Sequence, residues 1–165
     1  MEYRKLGRTQ LNSSVVGLGT WAFNSSVYGP VDRSAALQAI DAAREMGINF
    51  FDTAPLYGTC QEDGIAESIL GKGLVGCRKE VIVSTKFGRK PMEGNKANFN
   101  GRYARQSVEE SLQRLATDYI DLLFFHSPFS AREIDDVWES LGRLKEEGKV
   151  RFDGHLISKF EDTQD

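Results

Sequence analysis

The sequence predicts an α/β fold built on a parallel sheet, and three observations carry that reading. Short apolar, β-branched runs alternate with amphipathic helical stretches of 10–15 residues, as βαβ units do. A hairpin-like pair of polar β-prone pieces precedes the first of them. Three ionisable residues, Asp52, Lys86 and His126, stand at equivalent places, each closing one apolar run. The alternation alone leaves an open doubly wound sheet and a β/α barrel both possible.

The elements follow in order. Glu2–Lys5 and Leu11–Ser14 are β-prone, and Gly7-Arg8-Thr9 between them suits a hairpin loop. Val15–Gly19 reads as a buried strand, and Asn24–Pro30, rich in Ser, Asn, Gly and Pro, as a loop. Asp32 can cap a helix whose apolar face is Ala36, Ala39, Ile40, Ala43 and Met46, with Gly47 at its end. Ile48–Asp52 is a second strand, followed by the loop Thr53–Thr59. Ile65, Ile69 and Leu70 mark a second helix closed by Gly71 and Gly73. Val81–Thr85 is the clearest strand and ends at Lys86. A Gly- and Asn-rich loop over Gly88–Gly101 leads to a helix with Val108, Leu112 and Leu115 on one face. Tyr119–Phe125 is almost continuously apolar, as strands buried on both faces are, and ends at His126. Ser130 and Glu133 form a capping box for a helix through Ile134, Val137, Leu141 and Leu144, closed by Gly148. Val150–Phe152 starts a fifth strand.

Composition narrows the function. The chain has 165 residues, 40% hydrophobic and 27% charged, which fits one globular domain. No apolar run approaches the roughly 20 residues of a membrane span. The charged start has no secretory h-region, so a cytoplasmic location is expected. A net charge of −3 without any Lys/Arg block argues against nucleic acid as a partner. Cys60 and Cys77 are too few for a disulfide framework. With His126 and His155 they show no zinc-type spacing, so no metal is expected.

Ligands gather at the C-terminal ends of parallel strands in both barrels and open sheets. Short charged residues commonly end strands, but an acid, an amine and an imidazole on consecutive strands converge on one mouth. Tyr57 lies five residues past Asp52, in the loop at that mouth. A phenol titrates near pH 10, and a neighbouring ammonium favours its ionised form. Asp52 can hold the ammonium of Lys86, and His126 can hydrogen-bond a substrate oxygen. Those roles are general acid–base catalysis on a carbonyl or an alcohol.

Gly17-Leu18-Gly19-Thr20-Trp21-Ala22 fits a dinucleotide fingerprint on paper. That motif needs a helix opening inside it, and here a loop follows. Asp52 is the acid ending the second strand, but it lies 33 residues after Gly19 rather than the ~20 such a site uses. The glycines suit close backbone approach instead.

Four motifs in order, GLGTW at Gly17–Trp21, NFFDTAPLYG at Asn49–Gly58, STKFG at Ser84–Gly88 and DYIDLLFFHSP at Asp118–Pro128, resemble the aldo-keto reductase family from Met1 to about Phe152. The resemblance implies a partial (β/α) TIM-type barrel: about four βα units and a fifth strand behind an N-terminal hairpin plug. One domain then covers 1–165, with the hairpin at 1–14, the βα units at 15–153 and a divergent tail at 154–165. It implies NADP(H) as cofactor and Asp52, Tyr57, Lys86 and His126 as catalytic residues. Tyr57 would donate the proton and His126 would position the carbonyl. It assigns Gly19, Thr20, Trp21, Asp52 and Ser158 to the cofactor, and a small carbonyl or sugar-like substrate to the mouth.

The sequence also departs from the family pattern. Two extra residues intervene before Ser158, and Lys159 stands where an Asn holding the nicotinamide carboxamide is expected; an ammonium donates but cannot accept. About 33 residues make each βα unit, so eight need about 265, near the usual barrel size. Two further readings follow: an inactive relative serving as scaffold or interaction protein, or a chain active only when a second chain, its own copy or another, covers the exposed sheet edges.

Overall fold

The computed structural model describes residues 1–24, 29, 31–126 and 135–155. Strands β1 (Tyr3–Lys5) and β2 (Asn12–Ser14) form an antiparallel hairpin, with Gly7 at φ 51° in its loop. Strands β3 (Leu18–Gly19), β4 (Phe50–Asp52), β5 (Ile82–Phe87), β6 (Ile120–Phe125) and β7 (Val150–His155) form one parallel sheet in sequence order. Helices α1 (Arg33–Glu45), α2 (Ile65–Gly73), α3 (Gly101–Leu115) and α4 (Asp135–Glu146) connect them. Asp32 caps α1 by accepting from the Ser34 N–H at 2.8 Å, and Asn100 caps α3 by accepting from that of Tyr103 at 2.8 Å.

Strand order decides between the two architectures the alternation allows. A doubly wound sheet reverses direction once and carries helices on both faces. Here the order never reverses and each helix packs against the next, so the helices share one face, as in the wall of a β/α barrel. Alternate residues of each strand divide accordingly. Phe51, Val83, Phe87, Leu123 and Phe125 point to the helices and join the main core. Leu11, Ile82 and Leu122 make a second cluster on the other face, with Leu6, Phe50, Phe124 and Phe152 against it. The hairpin thus plugs the inner face below the strand ends. No described helix is long and apolar enough to cross a membrane.

Several expectations need correction. Only Leu18 and Gly19 of the run Val15–Gly19 pair with β4, and Val15 and Val16 are about half exposed. Among the described residues β3 is bonded on one side only, so the run has no second strand to bury it. Met46 is exposed, lying past the last turn of α1 as its C-cap. Strand β5 runs through Lys86 to Phe87, and β7 continues three residues past Phe152. The Ser130–Glu133 capping box lies outside the described residues.

Gly73 is the last residue of α2, as expected, whereas Gly71 lies within it. Gly71 serves close packing, because a Cβ there would come within 2.6 Å of the Arg114 carbonyl and 2.7 Å of that of Leu115. Both are backbone atoms and cannot step aside. Gly71→Ala is therefore expected to push α2 from α3 and destabilise the chain by about 1–3 kcal/mol, despite the better helix propensity of Ala. A thermal melt checks this, and an unchanged or raised Tm contradicts it.

Candidate active site

The upper ends of β4, β5 and β6 bring together Asp52, Lys86 and His126, and the turn after β4 adds Tyr57. The register pairs Asp52 with Ser84 and Lys86 with Phe124, all on the inner face. Lys86 is almost fully buried. Its Nζ donates to Asp52 Oδ1 at 2.8 Å and Oδ2 at 2.7 Å, to the Thr53 carbonyl at 2.8 Å and to Tyr57 Oη at 3.2 Å. An ammonium has three N–H bonds. One is shared by the carboxylate, one goes to Thr53, and the third to the phenol oxygen. Because Lys86 donates to Tyr57, the phenol's own hydrogen must point elsewhere, free for another acceptor.

His126 follows β6 and is held by its backbone N–H donating to the Phe87 carbonyl at 2.9 Å. Its ring meets that of Tyr57 edge-on, with centroids 6.0 Å apart at 90°. Burial pushes the imidazole pKa down to about 4; the nearby Lys86 ammonium and Arg89 add to this, and Asp52 opposes it. The ring is therefore neutral at pH 7 and keeps one N–H to donate. Its Nδ1 is buried without a hydrogen-bond partner among the described residues.

That shift has a consequence for stability. An unfolded histidine takes its proton below about pH 6.5, and folded His126 only below about pH 4. Between these values the unfolded chain binds more protons, so His126 lowers stability as pH falls through that window. Urea midpoints near pH 7 and near pH 4 are expected to drop further for the native chain than for His126→Asn. Equal drops contradict the assignment.

Ser84 and Thr53 were not legible as site residues. Ser84 is fully buried and donates from Oγ to Asp52 Oδ1 at 2.6 Å. The period-two alternation with Lys86 was the available signal, since both face inward on one strand.

Of the residues expected near a cofactor, Thr20 is buried and bonded to the Asp52 carbonyl, through its N–H at 2.8 Å and its Oγ1 at 3.0 Å. This ties the end of β3 to Asp52. Gly19 faces open space, with nothing within 4 Å of where a Cβ would stand. Trp21 opens a short 3-10 turn, Trp21–Phe23, and is half exposed. No α-helix begins before Arg33, so the glycines make no fingerprint turn. Ser158 lies outside the described residues.

The described residues fit the reacting end of a nicotinamide cofactor. The phenol and the neutral imidazole are two neutral donors at one mouth, and the backbone of Gly19 leaves room beside Asp52. Of the basic side chains near the mouth, Lys86 is fully engaged, Arg89 gives one N–H to the Asn95 carbonyl at 2.6 Å and Lys90 donates to Glu110 at 2.7 Å. No group of three or more His, Cys, Asp or Glu among the described residues could hold a metal ion.

The model of the Aldo/keto reductase family matches residues 15–158. The chain belongs to the aldo/keto reductase family. Among relatives of this aldo/keto reductase chain, the L-galactose dehydrogenase of Arabidopsis thaliana is 41% identical over 93% of the chain and 48% of its own length. The aldo-keto reductase YhdN of Bacillus subtilis is 37% identical over 97% and 47%. The NADH-specific methylglyoxal reductase of Escherichia coli is 37% identical over 88% and 49%. The aldo-keto reductase AKR11C1 from Bacillus halodurans, in its holo form, superposes with a TM-score of 0.83 at 34% identity, over 96% of this chain and 51% of that one. The chain spans about half the length of the curated relatives it matches.

Proposed function

We propose that this aldo/keto reductase chain carries the acid–base residues of an NADPH-dependent interconversion of a carbonyl compound and an alcohol. The observation that carries the reading is the 3.2 Å contact between Lys86 Nζ and Tyr57 Oη, with Asp52 chelating the same ammonium.

In reduction, Tyr57 gives its outward hydrogen to the substrate oxygen; in oxidation it takes one back. Lys86 stabilises the phenolate left behind, and Asp52, held by Ser84, keeps the ammonium in place. Neutral His126 donates its N–H to the same oxygen and orients the carbonyl. NADPH, when bound, would supply the hydride for the carbonyl carbon. Gly19 and Trp21 would hold its nicotinamide end, with Thr20 fixing the end of β3 behind them, and Ser158 its carboxamide. The names of the dehydrogenase and the methylglyoxal reductase support a small carbonyl or sugar-like substrate.

The binding experiment is a titration with NADPH, and in parallel NADH, followed by tryptophan fluorescence and by thermal shift. Saturable binding with a raised Tm is expected. No binding at millimolar nucleotide removes the enzyme reading for this chain alone.

A second chain completing the wall is a further part of the proposal. Among the described residues β3 and β7 are each paired on one side only, and Phe124 and Phe152 on the inner face are only partly buried. Exposed strand edges invite pairing. The mass in solution tests self-association, and a stable monomer overturns it.

A further inference from the structure

Lys86 is carried by β5 and Tyr57 by the turn before α2, so their 3.2 Å contact depends on how those two pieces are set against each other. Behind the sheet, one fully buried carboxylate addresses both. Glu67, the third residue of α2, accepts from Thr85 Oγ1 at 2.6 Å on Oε1 and from Arg114 Nε at 2.6 Å on Oε2. Thr85 is the neighbour of Lys86 on β5. On the other side, the residue before Glu67 holds Tyr57 itself, since the Ala66 N–H donates to the Tyr57 carbonyl at 3.0 Å. The end of the Tyr57 turn also rests on this pair. Gly64 has a left-handed φ of 62°, and a Cβ there would meet Arg114 Nε at 2.3 Å and Glu67 Oε2 at 2.6 Å.

We propose that Glu67 is a positioning residue: with Arg114 it fixes the start of α2, and through Thr85 it locks that start to β5, setting Tyr57 against Lys86. The importance of that distance rests on the acid–base reading of the Tyr57–Lys86 pair. A plain packing role for Glu67 would need neither the bond to the neighbour of Lys86 nor the adjoining bond to Tyr57. The Thr85–Glu67 bond crosses between the two pieces that must stay in register, and the Ala66–Tyr57 bond ties Tyr57 to the start of α2 beside it.

Thr85→Val is the informative variant, because it removes one hydroxyl, keeps the shape and leaves the Glu67–Arg114 pair intact. Removing Glu67 would instead strand the Arg114 charge and threaten folding. The chain has only two histidines, His126 and His155, so their ring resonances are easily separated. The edge contact makes the His126 signal a report on the position of the Tyr57 ring. At pH 7, Thr85→Val is expected to move that signal toward its position in Tyr57→Leu, which lacks the ring. Thr85→Ser, which restores the hydroxyl, is expected to keep the native signal. A native His126 signal in Thr85→Val, or an equal shift in Thr85→Ser, overturns the proposal even if Tm falls.

Where turnover is measured, Thr85→Val is expected to lower kcat on the order of tenfold with KM unchanged. Retained turnover in Tyr57→Phe would sink the acid–base reading, whereas the His126 signal judges the clamp independently. If Thr85→Val does not fold, amide exchange of the native chain decides. The Ala66 amide is expected to exchange as slowly as those of β5, and exchange at the rate of exposed loop amides overturns the clamp.

Discussion

Tyr57→Phe is expected to lower kcat for carbonyl reduction by about 10²–10⁴-fold, the usual size of a lost acid–base group. The change removes one oxygen and keeps the ring and its edge contact with His126. Lys86 keeps the Asp52 carboxylate and the Thr53 carbonyl as acceptors, so the ammonium stays where it is. Affinity for nucleotide should therefore survive, and KM should change little. A fall in kcat and in kcat/KM together marks a group that acts only in the transition state. A rise in KM at native kcat would instead make Tyr57 a binding residue.

The second large effect concerns stability at the opposite end of the sheet. Asp121→Ala is expected to destabilise the chain by about 3–5 kcal/mol, as breaking a buried ion pair does. Asp121 is 1% exposed and points outward from β6. It accepts from Arg78 Nη2 at 2.8 Å, Arg151 Nη1 at 2.7 Å and the Val83 N–H at 3.0 Å. Arg78 is itself mostly buried; it also donates to the Val81 and Tyr119 carbonyls and lies 4.1 Å from the Tyr119 ring centroid. Removing the carboxylate leaves that guanidinium uncompensated and a strand N–H unsatisfied. A typical domain is stable by only about 5–15 kcal/mol, so the loss is a large share of the total. It should be read as a lower urea midpoint at unchanged slope. A loss below about 1 kcal/mol would mean that Arg78 swings to water as an exposed pair does.

The sequence made some of these features visible and hid others for identifiable reasons. Asp52, Lys86 and His126 were visible because parallel strands deliver their ends to one mouth, whatever the sheet's order. That order itself was hidden, because alternating elements do not say which strands are neighbours; the unreversed register and helices on one face supply it. Val15 and Val16 read as buried because apolarity predicts a covering that the described residues do not provide. Gly71 read as a helix stop because glycine favours ends, yet its role is set by the backbone of a helix more than 40 residues later. The partners of Asp121 lie 30 to 43 residues away, and Thr85 lies 18 from Glu67, at spacings no local pattern encodes. The family motifs added the roles of the four mouth residues, which the alternation alone would have left as strand-end charges.

On the proposed reading Tyr57, backed by Lys86, moves the proton, and a nicotinamide, when bound, would supply the hydride at the same mouth. The most direct measurement uses NADPH deuterated at its transferable position, a small aldehyde and mass analysis of the alcohol formed. The native chain is expected to place deuterium on the carbinol carbon, and Tyr57→Phe and Lys86→Met are expected to yield almost none. Labelled alcohol from Tyr57→Phe at the native rate, or no label transferred by the native chain, would contradict the account.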